Sequence, residues 1–214
     1  MIKQFKKTLI VTSIITLLPI LAGLILWERL PETIATHFGA DNQANGWSSK
    51  WFAVFGLPLI LLAAEWFCML VTSIDPKRKN INRKALGVAL WIMPIVSLIS
   101  SLVIYAYALE IPIDIGMIMF ILLGVTFVLL GNYMPKTQQN YSLGIKLPWT
   151  LNDEDNWRAT HRLAGFLWTL GGIIILISAI FKPIWLLLSV AVLMILLPTL
   201  YSYLYYKKNK KADG

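Results

Sequence analysis

The chain has 214 residues, 57% of them hydrophobic and 14% charged, with a formal net charge of +8. A soluble domain carries about 25% charged residues, so this composition excludes an ordinary soluble protein and reads as an integral membrane protein. The positive charge lies in short clusters between apolar runs, as topology signals do, and no direct nucleic-acid partner is expected.

Lys3, Lys6 and Lys7 precede an apolar run from about Thr8 to Trp27. That run exceeds the roughly 7–15 residues of a cleavable signal core, and no small-residue cleavage pattern follows it. It reads as an uncleaved first span. Next comes an outer loop, Pro31–Lys50, PETIATHFGADNQANGWSSK. It reads either as a Gly/Asn-rich turn or as a recognition surface carrying His37, Asp41, Gly46 and Trp47. Asp41, Gln43, Asn45 and Gly46 echo the opening of a calcium loop, but Phe52 stands where a bidentate Glu is needed. His37 and Asp41 offer two metal ligands without a third, so no metal is expected.

Five further spans follow, each near the roughly 20 residues that cross a bilayer. They are Trp51–Ile74, Ala85–Leu109, Ile111–Leu130, Leu163–Phe181 and Ile184–Tyr206. Pro112 suits the first helical position of the fourth span, with Asp114 in its first turn. Tight hairpins are expected around Glu110 and around Lys182 with Pro183. The fold class is therefore an all-α integral membrane protein with six transmembrane helices. Most Lys and Arg fall on one side of these spans, which places both termini in the cytoplasm. The expected division is a two-span region, residues 1–84 with outer loop 31–50, and a four-span region, residues 85–214 with cytoplasmic loop 131–162. The final KKNKKADG reads as a disordered basic tail near anionic lipid headgroups.

Glu65 is an acid deep within the second span, roughly 15 Å from its far end by helical rise. An ionised carboxylate there costs several kcal/mol unless it faces the bundle interior or water. Two readings stand: a structural carboxyl, or an ion path in a small transporter. Thr126, Trp168 and Thr169 lie at similar depth as expected hydrogen-bond donors.

The stretch Gly131–Gly165, GNYMPKTQQNYSLGIKLPWTLNDEDNWRATHRLAG, is too polar to cross a bilayer and too patterned for a linker. Thr150 or Asn152 is expected to cap a helix whose first turn holds Asp153, Glu154 and Asp155, with Glu154 and Arg158 paired four apart. A catalytic His161 would need a nucleophile or second acid, yet no Cys, GxSxG or HExxH accompanies it. The chain is not expected to be an enzyme, and no cofactor is implied. Trp157 and His161 read either as interface anchors or, with Trp149 and the nearby Arg residues, as a protein-contact surface.

The motif GN-(x)2-P-K-(x)3-N-(x)3-GIK-x-PWTL-(x)5-W-(x)3-H-R-(x)2-G resembles the signature of the SdpI family, bacterial membrane proteins conferring immunity to a secreted antimicrobial peptide. It is carried by Gly131, Asn132, Pro135, Lys136, Asn140, Gly144, Ile145, Pro148, Trp149, Thr150, Trp157, His161, Arg162 and Gly165. The segment LPETIATHFGADNQANGW, with Pro31, His37, Gly46 and Lys50, is similar to an N-terminal domain of unknown function that often precedes this motif. The resemblance implies protection against a peptide toxin arriving from outside and, further, capture of a cytoplasmic transcriptional repressor. Read this way, Asn132, Pro135, Lys136, Asn140, Gly144, Lys146, Pro148, Trp149, Trp157, Arg158, His161 and Arg162 form a partner-binding element. Membrane lipid is a further expected partner, and a permease using Glu65 is the alternative function.

Overall fold

The computed structural model describes residues 1–39 and 41–212. Its helices are α1 (Ile2–Ile25), α2 (Leu57–Ile74), α3 (Arg83–Ala108), α4 (Ile115–Tyr133), α5 (Pro148–Asn152), α6 (Glu154–Ser178) and α7 (Ile184–Ala212). A π-helical turn, Phe52–Gly56, leads into α2. All but the short α5 are long and apolar enough to cross a membrane, six in number among the described residues. Large apolar side chains such as Phe67, Ile177 and Leu188 stay exposed on them, as lipid-facing surfaces require. The protein is a multi-pass membrane protein.

Several boundaries differ from the expectation. The fourth helix begins at Ile115, leaving Pro112 and Asp114 outside it. Glu110 closes α3 in the left-handed region, φ 58°, and Ile111 N–H bonds back to the Ala106 carbonyl at 2.9 Å. Pro112 holds Ile111 away from helical geometry, and residues 111–114 carry no regular structure before the new helix starts after Asp114. Lys182 closes the α6 end in the same way at φ 51°. The tail is also different: α7 continues as helix through Ala212, while Asp213 and Gly214 lie outside the described residues.

The expected all-α fold gains a two-stranded antiparallel hairpin, β1 (Thr33–Phe38) and β2 (Ala44–Ser49), within Pro31–Lys50. Its register pairs Thr33 with Ser49 and Ala35 with Trp47, then shifts around His37 and Gly46. Inward Ile34 joins Leu30, Val54, Ile104 and Tyr105 in one buried cluster, which fixes which face of the hairpin is covered.

By packing, the chain forms two compact units. One comprises Met1–Leu70 with Ala89–Gly116; the other comprises Val71–Val88 with the chain from Met117 onward. Most of α3, grouped with the C-terminal region by sequence, therefore packs with α1. Ser97 Oγ donates to the Thr16 carbonyl at 2.7 Å, and Tyr105 Oη donates to the Pro19 carbonyl at 3.1 Å. In the second unit, Phe120, Ile175, Ala179, Val190 and Met194 build a core shared by α4, α6 and α7.

Candidate functional site

The motif stretch folds as a lock around His161. His161 Nδ1–H donates to the Trp157 carbonyl at 2.8 Å, and its Nε2 accepts the Ile145 N–H at 2.9 Å. With one ring nitrogen donating and the other accepting, the imidazole is the neutral Nδ1-protonated tautomer. Trp157 stacks on this ring at 4.0 Å between centroids and donates its indole N–H to the Thr137 carbonyl at 2.7 Å. Gly144 sits against both rings at φ +114°, where a Cβ would collide with His161 Nε2. The glycine is therefore required twice, by backbone conformation and by space.

Other motif residues complete the lock. Thr150 Oγ1 accepts the Leu147 N–H at 2.9 Å and lies 2.9 Å from the Ile145 carbonyl. Asn140 Oδ1 accepts the N–H groups of Ser142 and Leu143 at 2.9 and 2.7 Å. Gln139 Nε2 donates to the Thr150 carbonyl at 2.9 Å, and Lys77 Nζ donates to Gln139 Oε1. The cap of α6 is Asp153, not Thr150 or Asn152: its carboxylate accepts the N–H groups of Asp155 and Asn156, both at 2.9 Å. Arg158 pairs with Asp155 at 3.0 Å rather than with Glu154.

Asp75, which sequence reasoning passed over, is a principal tie. Its Oδ2 accepts the Tyr141 N–H at 2.9 Å and the Ser142 hydroxyl at 2.6 Å, while Oδ1 accepts the Lys77 N–H at 2.7 Å. The cue available in sequence was an acid just past the end of an apolar run. Tyr141 and Ser142 lie more than sixty residues from it, so that pairing could not be read.

Burial separates the expected contact residues into three groups. Asn132, Pro135, Lys136, Lys146, Pro148, Arg158 and Arg162 are exposed, whereas Gly144 and Trp149 are partly covered. Asn140, Trp157 and His161 are fully enclosed and offer no side-chain surface to a partner. Their part of the proposed surface is corrected: they hold the loop's shape from within. Trp149 is anchored by its indole N–H on Ser202 Oγ at 2.9 Å and by Tyr203 and Tyr206, at 5.5 and 6.1 Å between centroids.

On the β-hairpin, His37, Asp41 and Trp47 are exposed. His37 Nδ1 meets Asn45 Oδ1 at 2.5 Å, and Asp41 Oδ1 accepts the Gln43 N–H at 3.1 Å. These contacts use both side chains inside the loop, and no group of three or more metal-ligating residues exists among the described residues. Lys50 anchors the base of the hairpin: its ammonium reaches Glu32 Oε1 at 2.8 Å and the Trp27 carbonyl at 3.1 Å. A groove of about 480 Å³ runs between β1 and the α3–α4 turn, with Thr33, Trp47, Tyr107 and Glu110 on its walls.

Glu65, 1% exposed, meets hydroxyls of α1 rather than Thr126, Trp168 or Thr169. Thr12 Oγ1 contacts Glu65 Oε1, and Thr16 Oγ1 lies 3.4 Å from Oε2. Both hydroxyls also reach carbonyls of their own helix, Thr8 at 2.9 Å and Thr12 at 2.8 Å. Thr126 instead bonds the Leu122 carbonyl, and Trp168 the Met194 carbonyl. On α3, Ser101 Oγ is buried without a partner among the described residues.

Comparison with known proteins bears on the whole chain. Residues 136–202 match the SdpI/YfhL protein family, and residues 14–62 match a domain of unknown function, DUF1648. The Immunity protein SdpI of Bacillus subtilis (strain 168) is 31% identical over 206 residues, covering 94% of this chain and 97% of the relative. No solved structure matches. With the motif, both matched regions and near full-length similarity to one member, the chain belongs to the SdpI/YfhL family.

Proposed function

We propose that this protein confers immunity on its host membrane against a secreted antimicrobial peptide. The observation that carries the reading is the similarity to an immunity protein over 94% of the chain. It includes both the hairpin and the locked loop, not the spans alone. The termini and the locked loop face the cytoplasm, in keeping with the bias of Lys and Arg. The hairpin then faces outward and receives the toxin, with exposed His37, Asp41 and Trp47 beside the groove.

Signalling is the finer part of the proposal. On the cytoplasmic side Lys136 and Lys146 are exposed near Asn132, Pro135, Pro148 and Trp149. This cationic, partly aromatic face suits an acidic patch on a transcriptional repressor. Toxin would change repressor affinity only if the two ligands favour different conformations.

The test is growth under toxin challenge. Cells lacking the Bacillus subtilis relative would carry this chain, or its Trp47→Ala variant, at matched membrane levels. Protection by the wild type that weakens with Trp47→Ala supports immunity through the hairpin. An inserted wild-type chain that leaves cells as sensitive as the empty vector refutes immunity to that peptide.

A further inference from the structure

A groove of about 550 Å³ opens between α6 and α7, with Asp155, Arg158, Arg162, Phe166, Tyr201 and Tyr205 on its walls. Arg158, Arg162, Phe166 and Leu170 follow one another at four-residue intervals, so they form one stripe with steps of about 6 Å. The stripe changes character along α6. Two guanidinium groups stand near the helix start, and Phe166 and Leu170 follow at 64% and 43% exposure inside the apolar span. The antiparallel α7 supplies Tyr205 and Tyr201, with ring centroids 6.3 Å apart. Arg158 is paired with Asp155, whereas Arg162 makes no ion pair among the described residues. The groove therefore retains one uncompensated positive charge above an apolar platform.

We propose that this groove binds one anionic phospholipid, its phosphodiester on Arg162 and Arg158 and an acyl chain over Phe166 and Leu170. Arginine presents a planar fork of donors matched to phosphate oxygens. Tyr201 and Tyr205 fall in the last turns of the apolar span Ile184–Asn209, the part of a span where amphipathic aromatics favour the membrane interface. One net positive charge matches a phosphodiester monoanion. A water-soluble acidic partner would satisfy the arginines but would leave Phe166 and Leu170, within the span, uncovered. Basic grooves between membrane helices are a recurrent setting for acidic headgroups. The assignment goes beyond toxin immunity and holds whether or not that reading does.

The experiment is native mass spectrometry of the purified full-length chain released from detergent. It would be incubated with dioleoyl-phosphatidylglycerol, with the matching phosphatidylcholine, or with phosphatidylglycerol plus excess glycerol 3-phosphate. The wild type is expected to retain one phosphatidylglycerol in preference to phosphatidylcholine. Arg162→Gln should lower that retention about fivefold, the contribution of one cationic side chain near a headgroup. Arg162→Lys should recover part of it, which separates charge from misfolding. Phe166→Ala should lower retention with the arginines intact. Equal retention of the two lipids, or no effect of Arg162→Gln, overturns the site. Displacement by glycerol 3-phosphate, or indifference to Phe166→Ala, overturns the lipid assignment in favour of a free phosphate compound.

Discussion

His161 holds the backbone of Ile145: the N–H of Ile145 donates to Nε2 of the buried imidazole at 2.9 Å, across sixteen residues of chain. The most catalytic-looking side chain in the motif is thus used to shape a loop. Replacing it with Ala would leave the Ile145 N–H without its acceptor and open a void beside Trp157. Loss of a buried partner costs about 1–3 kcal/mol. His161→Ala is expected to lower the thermal unfolding midpoint in detergent. A variant as stable as wild type would contradict the structural role.

Gly144→Ala tests the same lock from the opposite side. The new Cβ would meet His161 Nε2 and Trp157, at a backbone φ of +114° that L side chains rarely adopt. Strained conformations of this kind cost on the order of 1–3 kcal/mol. The double variant with His161→Ala should be less destabilised than the sum of the two single changes, because the collision partner is gone. Strict additivity would show that the two sites do not share a contact.

Asp75 predicts a graded series. Asp75→Ala would remove the acceptor for the N–H groups of Lys77 and Tyr141 and for the Ser142 hydroxyl. Asp75→Asn keeps one acceptor oxygen and should fall between wild type and Ala. The expected loss for Ala is about 2–3 kcal/mol, read from protease resistance of the loop or from thermal unfolding. Wild-type protease resistance for both variants would exclude Asp75 as the loop's anchor.

Glu65 separates shape from ion conduction. An amide at this position can accept from one Thr hydroxyl and donate to the other, so Glu65→Gln should preserve stability and toxin protection. Glu65→Ala would leave a void and remove the cross-helix contact of both hydroxyls, which keep only the carbonyls of their own helix, at a cost of about 2–4 kcal/mol. Membrane level and survival under toxin would be measured together. A stable Glu65→Gln protein that no longer protects would reverse this assignment and return the ion-path reading to the front.

The elements were legible in proportion to how local their causes are. Apolar runs located all six membrane helices, because crossing the bilayer demands length and hydropathy before anything else. Glu110 and Lys182 mark turns that neighbouring apolar runs already implied. The β-hairpin was hidden because ANGWSS has little strand character by itself. It pairs because β1 is positioned opposite it and Ile34 has a core to enter. The start of α6 was misplaced by one to three residues, since Thr150, Asn152 and Asp153 are all acceptable caps until the preceding turn decides between them.

By itself, the sequence determined the membrane class, the number of membrane-spanning helices, the motif and the family, all of which are properties of residue order and transfer to lipid. Tertiary structure alone decided what the motif residues do. Trp157 and His161 share a helix face in any drawing of α6, but only the return of Gly144 and Ile145 turns that face inward. Thr12 and Glu65 are fifty-three residues apart, and Asp75 and Ser142 sixty-seven. Buried polar groups need partners, and which partner each finds depends on which distant segments the folded chain brings within hydrogen-bond reach.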